Sequence, residues 1–204
     1  KDINKYIFRG YDIRGKYPED LNEDVAYTIG KSYGTYIKKF NQTKCVVGHD
    51  NRYSYPELTK AVVTGILDAG MDVVYLDLVT TPMYYYAQIK LDIPAGIMVT
   101  ASHNPKDDNG FKFSYDYRGN AKGEMIEEFR DFVFAGEFDN GLGTLSSYDI
   151  REEYIELHKS SLDFGEKRVK VVLDPGNGTA TTILNDLYSN FPIDFEIICG
   201  ESDP

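Results

Sequence analysis

The sequence lacks any apolar run long enough to cross a lipid bilayer. A membrane-spanning helix needs about 20 predominantly apolar residues, and residues 1–4 lack the apolar core of a secretory signal. We therefore expect no membrane partner and a location in the cytoplasm.

Cysteine is also scarce, with 2 residues in the chain, Cys45 and Cys199. They lie far apart in apolar, strand-like runs and form no Cys-x-x-Cys pair, which argues against a metal site or a disulfide. The sequence predicts two buried free thiols, as in a reducing compartment.

Basic residues are outnumbered, since 22 Lys and Arg against 33 Asp and Glu give a net charge of −11. Proteins that bind nucleic acids concentrate Lys and Arg to replace phosphate counterions, so we expect no nucleic-acid partner. A small anionic substrate needs only a local cluster of cations. The residues that could supply one are Arg14, Arg52, Lys112 and Arg118.

Strand-like and helix-like segments alternate along the chain, as in layered α/β proteins. Apolar residues recur at spacings of three and four over residues 22–40, which predicts a helix in which Gly30 and Gly34 allow close packing on a sheet. The pattern predicts an α/β/α domain with a mixed, mostly parallel sheet over residues 1–165. Residues 166–204 then read as the beginning of a second, similar domain.

Several local patterns give more detailed expectations. Residues 8–15 read as a strand followed by a loop, and residues 179–188 as a helix. Ser54 and Glu57 have the spacing of a capping box, in which each side chain bonds a backbone N–H at the start of a helix.

The stretch that carries most chemistry is an apolar strand over residues 96–99 that runs into a polar loop with Ser102. The carboxyl end of a buried strand is where α/β sheets usually place ligands. His103 can move a proton, Asn104 can bind anionic oxygens, and Lys112 adds a positive charge. Neither Gly-x-Ser-x-Gly nor Ser-x-x-Lys is present, so a phosphoryl-carrying serine fits better than a hydrolase. The alternative is a Ser-x-Asn-Pro turn that only ends the strand.

Two other segments place arginines in loops. Within residues 8–15, two glycines bracket an aromatic residue and Arg14. Arginine suits a phosphate because its planar fork gives paired hydrogen bonds. The alternative is a surface ion pair between Arg14 and Asp12. Arg52 lies after a short strand and before a helix, where N–H groups favour anions. A pair with Asp50 that orders this loop is an equal alternative to substrate contact.

Residues 174–178 (DPGNG) form a glycine-rich loop after a strand. The loop has neither Gly-x-Gly-x-x-Gly nor the Gly-Lys-Ser/Thr ending of a P-loop. A tight turn is the better interpretation, and an α/β nucleotide-binding domain is the alternative.

Four segments together closely resemble the α-D-phosphohexomutases, the phosphomannomutase and phosphoglucomutase family. They are residues 8–15 (FRGYDIRG), 48–52 (GHDNR), 100–112 (TASHNP through NGFK) and 172–178 (VLDPGNG). The family has an arginine where this chain has His49. Residues 11–14 and 109–112 look more like the mannose and glucose mutases than the glucosamine mutases.

The resemblance implies an isomerase of carbohydrate metabolism that moves a phosphoryl group between positions 1 and 6 of a hexose phosphate. Phospho-Ser102 would be the carrier and a hexose 1,6-bisphosphate the intermediate. Tyr11 and Arg14 would line the site with Lys112, and His103 would be a candidate acid or base. Mg²⁺ would bind through the phosphate on Ser102.

The family also holds Mg²⁺ with an Asp-x-Asp-x-Asp loop in its second domain, and this sequence has no such run. Members have four domains, so the resemblance implies that this chain is the amino-terminal portion, inactive without the missing domains. The alternative is a non-catalytic module that binds phosphosugars or regulates their use.

Overall fold

The computed structural model describes residues 3–204 and contains a six-stranded mixed sheet. Its spatial order is β1-β5-β4-β2-β3-β6. The strands are β1 (Ile13–Lys16), β2 (Lys44–His49), β3 (Asp72–Leu78), β4 (Gly96–Val99), β5 (Asp108–Ser114) and β6 (Leu145–Ser147). Strands β4, β2, β3 and β6 pair in parallel, whereas β5 is antiparallel to both β1 and β4. The predicted mixed, mostly parallel sheet is confirmed.

Helices cover both faces of this sheet. On one face lie α1 (Glu23–Tyr36), α2 (Tyr55–Asp68) and α4 (Glu124–Ala135), and on the other lies α3 (Thr81–Leu91). Two further helices follow along the chain, α5 (Arg151–Ser161) and α6 (Leu184–Tyr188). Side chains of α1, α2 and α4 share one apolar cluster, and those of α3 belong to a second. Successive strand residues point to opposite faces, so Cys45 and Val47 enter the first cluster while Val46 enters the second. The α/β/α layering is therefore confirmed.

The two glycines of α1 have a different partner from the one predicted. A Cβ atom added at Gly30 would lie 2.1 Å from the carbonyl oxygen of Val62 in α2, and one at Gly34 would lie 2.9 Å from the Cβ of Ala69. These glycines therefore let α1 approach α2, not the sheet. Helix α1 is capped by Asn22, whose side chain accepts a hydrogen bond from Val25 N at 3.1 Å.

Three local predictions are wrong in detail. Residues 8–15 run from loop to strand, because β1 begins only at Ile13 and pairs with β5. Ser54 makes no capping bond, since its hydroxyl accepts a hydrogen bond from Asn109 Nδ2 at 2.8 Å. The helix predicted over 179–188 is broken at Ile183, where φ is −131°, between a 3-10 turn and the short α6.

Strands β7 (Lys170–Leu173) and β8 (Asp194–Ile197) form a separate parallel pair after residue 165. Ile183 lies in the same apolar cluster as Ile150, and Asn51 donates a hydrogen bond to the carbonyl of Asn177 at 3.1 Å. The division into domains at residue 165 stays a prediction.

The two cysteines differ in their surroundings. Cys45 is buried in β2 as predicted, but Cys199 is exposed. The expectation fails for Cys199 because β8 ends at Ile197 and the thiol lies on the connection beyond it. None of the helices within residues 3–204 is long and apolar enough to cross a membrane.

Candidate active site

Ser102 lies in the loop that joins β4 to β5, residues 100–107, which we call the serine loop. Because β2 and β4 are parallel, the residues that follow them, Asp50 and Thr100, meet at one edge of the sheet. Ser102 has a φ of 55°, a left-handed conformation that is uncommon for a residue other than glycine. Its side chain is exposed, and its Oγ lies 3.3 Å from Nδ1 of His103.

A buried hydrogen-bond chain fixes the backbone of Ser102. The hydroxyl of Thr100 donates to Oδ2 of Asp50 at 2.6 Å, and the amide of Ser102 donates to the same hydroxyl at 2.9 Å. Asp50 and Thr100 are both buried. The serine is therefore displayed from a backbone that the neighbouring strand holds in place.

Arg52 lies beneath the serine loop with most of its side chain buried. Its two terminal nitrogens each donate two hydrogen bonds of 2.6–2.9 Å to backbone carbonyls, which are those of Ser102, Asn104, Pro105 and Asp108. Its Nε lies 3.4 Å from Asp50 Oδ2. Of the two alternatives left open by the sequence, the geometry favours loop ordering, because both terminal nitrogens already use their N–H groups inside the chain.

Arg14 and Lys112 form the cationic part of the site. They lie on the antiparallel strands β1 and β5, and both contact Oδ2 of Asp12, at 2.5 Å from Arg14 Nη2 and 3.3 Å from Lys112 Nζ. Asp12 is only 5% exposed. The pair between Arg14 and Asp12 that the sequence offered as an alternative thus exists, but it is partly buried and includes a second cation.

Arg14 also reaches the serine loop. Its Nη1 donates to Oδ1 of Asn104 at 2.5 Å, and Nδ2 of Asn104 donates in turn to Oδ2 of Asp108 at 2.7 Å. Four of the predicted site residues, Arg14, Lys112, Ser102 and His103, therefore belong to one connected group of side chains and loop backbone. Their catalytic roles remain predictions.

Tyr11 is 74% exposed in the turn before β1, directly next to Asp12. Its role in binding a substrate also stays a prediction. Arg118 does not belong to the cluster, because it pairs with Asp116 at 2.7 Å and lies over the rings of Phe40 and Tyr115.

His49, at the position where the resemblance has arginine, is buried. Its ring stacks on that of Tyr55 at 3.9 Å between centroids, and its Nε2 lies 3.1 Å from Oδ1 of Asp77. It therefore packs below the site rather than facing a ligand.

The glycine-rich loop is a turn whose N–H groups are used within the chain. The amide of Gly176 donates to the Asp174 carboxylate, that of Asn177 to the carbonyl of Cys199, and that of Gly178 to the carbonyl of Pro175. A phosphate-binding loop presents such amides to its ligand. The arrangement favours the tight turn over the nucleotide site.

Metal binding is limited by the donors at hand. Within residues 3–204 no group of three or more His, Cys, Asp or Glu side chains is placed to hold a metal ion. Mg²⁺ prefers several oxygen ligands in an octahedral arrangement. The described residues therefore provide no such cluster of acidic ligands for Mg²⁺.

Residues 5–140 match the family described as phosphoglucomutase/phosphomannomutase, alpha/beta/alpha domain I. The chain is 36% identical over 181 residues to a phosphomannomutase/phosphoglucomutase of Pseudomonas aeruginosa, covering 89% of this chain and 39% of that protein. It is 33% identical over 189 residues to a phosphoglucomutase of Neisseria meningitidis, with coverages of 92% and 41%.

Solved structures agree. A phosphoglucomutase/phosphomannomutase family protein from Burkholderia thailandensis superposes with a TM-score of 0.91 at 32% identity, covering 99% of this chain and 45% of that one. The chain belongs to the phosphoglucomutase/phosphomannomutase family. It spans about two fifths of the length of the curated relatives it matches, 39% and 41% for the two above.

Proposed function

We propose that the chain is the amino-terminal portion of a cytoplasmic phosphohexomutase, an isomerase that exchanges hexose 1-phosphate and hexose 6-phosphate. The observation that carries the proposal is the serine loop. It displays Ser102 on a fixed backbone, and the same loop is bonded to the cationic residue Arg14.

Ser102 serves as a phosphoryl carrier, because phosphate monoesters react extremely slowly without catalysis. In the first transfer, the bond between phosphorus and Ser102 Oγ breaks as a sugar hydroxyl oxygen bonds to phosphorus. The sugar hydroxyl loses its proton, and Ser102 Oγ takes one. The second transfer reverses these events with the other phosphate of the hexose 1,6-bisphosphate, so that phosphoserine is restored.

His103 is our candidate for the proton exchange with Ser102. Its Nδ1 lies 3.3 Å from the serine oxygen, within reach of a small adjustment. General acids and bases act at hydrogen-bond distance and often tighten only when a substrate binds.

Arg14 and Lys112 neutralise the transferred group, with Tyr11 contacting the sugar beside them. Catalysis of phosphoryl transfer consists mainly of positioning and electrostatic stabilisation. The shared contact with Asp12 holds the two cations together before a phosphate arrives.

Mg²⁺ is the cofactor we assign from family membership. A phosphate on Ser102 would supply one ligand, and the other ligands would come from outside residues 3–204. Bound there, the metal would stabilise charge on phosphate oxygens. Because those ligands would lie elsewhere, we expect residues 1–204 to be inactive alone. The hexose of the substrate can be mannose or glucose.

The experiment is an assay of hexose 1-phosphate conversion by the native-length protein and its Ser102→Ala variant. We expect loss of activity in that variant and normal activity in Ser160→Ala, which alters an exposed serine of α5. Full activity of Ser102→Ala would contradict the proposal. Binding of hexose phosphate without turnover in the wild type would favour the non-catalytic module.

A further inference from the structure

We infer that Arg52 is a positioning residue for phosphoryl transfer: it sets the conformation of the serine loop through four backbone carbonyls without contacting the substrate. The inference rests on the proposed function of Ser102, but its structural half can be tested without activity.

Arg52 is the shared donor for several carbonyl groups of the serine loop. The serine loop and its exit point four oxygens at one guanidinium group, those of Ser102, Asn104, Pro105 and Asp108. Buried carbonyls without partners are costly. Removing Arg52 would take its guanidinium donor away from all four carbonyls. The carbonyl of Pro105 would keep the hydrogen bond from the amide of Asp108, and the loop would have to rearrange to give the others a new partner or water.

Arg52 is itself held in place by Asp50. Its backbone amide donates to Oδ1 of Asp50 at 3.1 Å, and its Nε faces the other carboxylate oxygen. That second oxygen also accepts the hydrogen bond from Thr100. Asp50 therefore links two groups that order the loop. One is the guanidinium of Arg52, which bonds the loop carbonyls, and the other is the hydroxyl of Thr100, which bonds the amide of Ser102.

The guanidinium group has the shape that this role requires. Bonding four carbonyls at once requires a planar group with N–H bonds fixed in a fork, which arginine has and lysine lacks. A lysine at position 52 would keep the positive charge beside Asp50 but could satisfy fewer oxygens. Charge alone is therefore insufficient for this role.

The position of Ser102 Oγ depends on the conformation of this loop. Phosphoryl transfer needs the carrier oxygen in line with the attacking or leaving oxygen, and a misplacement of about 1 Å can cost about a hundredfold in rate. Ser102 adopts a left-handed backbone conformation that a free loop would leave readily. Arg52 holds it there.

The first test is amide hydrogen exchange, resolved by NMR, in residues 1–204 with Arg52→Ala, Arg52→Lys and the control Arg118→Ala. The reporters are the amides of Asn104 and Asp108, which are bonded within the loop. We expect exchange at both to accelerate about tenfold or more in Arg52→Ala, with partial recovery at most in Arg52→Lys. Exchange of the buried β4 amides should change little, as in the control.

Unchanged loop exchange in Arg52→Ala, or full recovery in Arg52→Lys, would overturn the inference. If Arg52→Ala does not fold, Thr100→Val gives a second measurement. It removes the hydroxyl that bonds both Asp50 and Ser102 N at nearly constant volume, and it should loosen Ser102 in the same assay. No change at Ser102 in that variant would also count against the network.

The second test separates this inference from the proposed function. In the native-length protein, Arg52→Lys should lower kcat about tenfold or more while KM stays within about twofold, because a residue that acts only through the loop backbone adds nothing to substrate binding. A raised KM with normal kcat would instead indicate substrate contact and overturn the inference. If Ser102 is never phosphorylated in the wild-type protein, the proposed function is wrong. The exchange data would still show whether Arg52 orders the serine loop.

Discussion

Lys112 Nζ lies 3.3 Å from Oδ2 of Asp12, the oxygen that Arg14 also contacts at 2.5 Å. One nearly buried carboxylate thus holds two cations that come from different strands. Both cations lie beside the serine loop with partly exposed side chains, so a phosphate can compete with Asp12 for them.

Replacing Asp12 by Asn should destabilise the fold. The change leaves two partly buried cations without their counter-charge, at an expected cost of about 2 kcal/mol or more in the free energy of unfolding. Urea denaturation measures it. The control is Asp131→Asn, which breaks an exposed pair with Arg130 and should cost less than about 0.5 kcal/mol. Equal effects of the two substitutions would show that the shared contact contributes nothing.

Replacing Lys112 or Arg14 by Ala in the native-length protein should slow the reaction. If both donors stabilise the transferred phosphoryl group, each loss should cost about 2 to 4 kcal/mol of transition-state stabilisation, measured from kcat/KM. Arg118→Ala is the matched control, because that arginine is bound to Asp116 outside the cluster. Near-normal rates in both variants would remove these residues from the mechanism.

Gly30→Ala should destabilise the protein although alanine is the better helix former. In an open helix the change would gain about 1 kcal/mol, but here the new Cβ would meet the Val62 carbonyl of α2 at 2.1 Å. We expect a net loss of about 1 to 3 kcal/mol by urea denaturation. Gly10→Ala, where nothing lies within 4 Å of the added atom, is the control. A stabilised Gly30→Ala protein would mean that the helices separate easily.

The two thiols should react at different rates. Burial raises the pKa of Cys45 strongly, whereas the nearby Asp174 carboxylate is the main cause that raises the pKa of the exposed Cys199. An alkylating reagent at pH 8 should label Cys199 first and Cys45 only on unfolding. Asp174→Asn should lower the pKa of Cys199, so its thiolate fraction and its labelling rate at pH 8 should rise. Unchanged labelling would show that Asp174 does not control this thiol.

The sequence alone predicts those features that depend on local patterns. Alternating apolar periods predict the layered fold, and a buried strand followed by polar residues predicts that Ser102 lies at a strand end. Each of these signals is contained in a short window, because burial of one strand or one helix face determines it.

Features that depend on strand order could not be predicted from the sequence. That Lys112 shares Asp12 with Arg14 follows from the pairing of β1 with β5, and no spacing along the chain encodes it. The four carbonyl contacts of Arg52 likewise require β2 and β4 to be neighbours. Strand β6 was missed because its three residues are exposed, and it is held partly through Thr144, whose amide donates to Asp72 at 2.7 Å.

The most direct test of the account is to map phosphate on the native-length protein by mass spectrometry after exposure to a hexose 1,6-bisphosphate and Mg²⁺. The account predicts phosphate on the peptide that contains Ser102, and its loss when excess hexose monophosphate is added. An unmodified Ser102 in a folded, metal-loaded protein would contradict it and leave the non-catalytic phosphosugar-binding module as the better explanation.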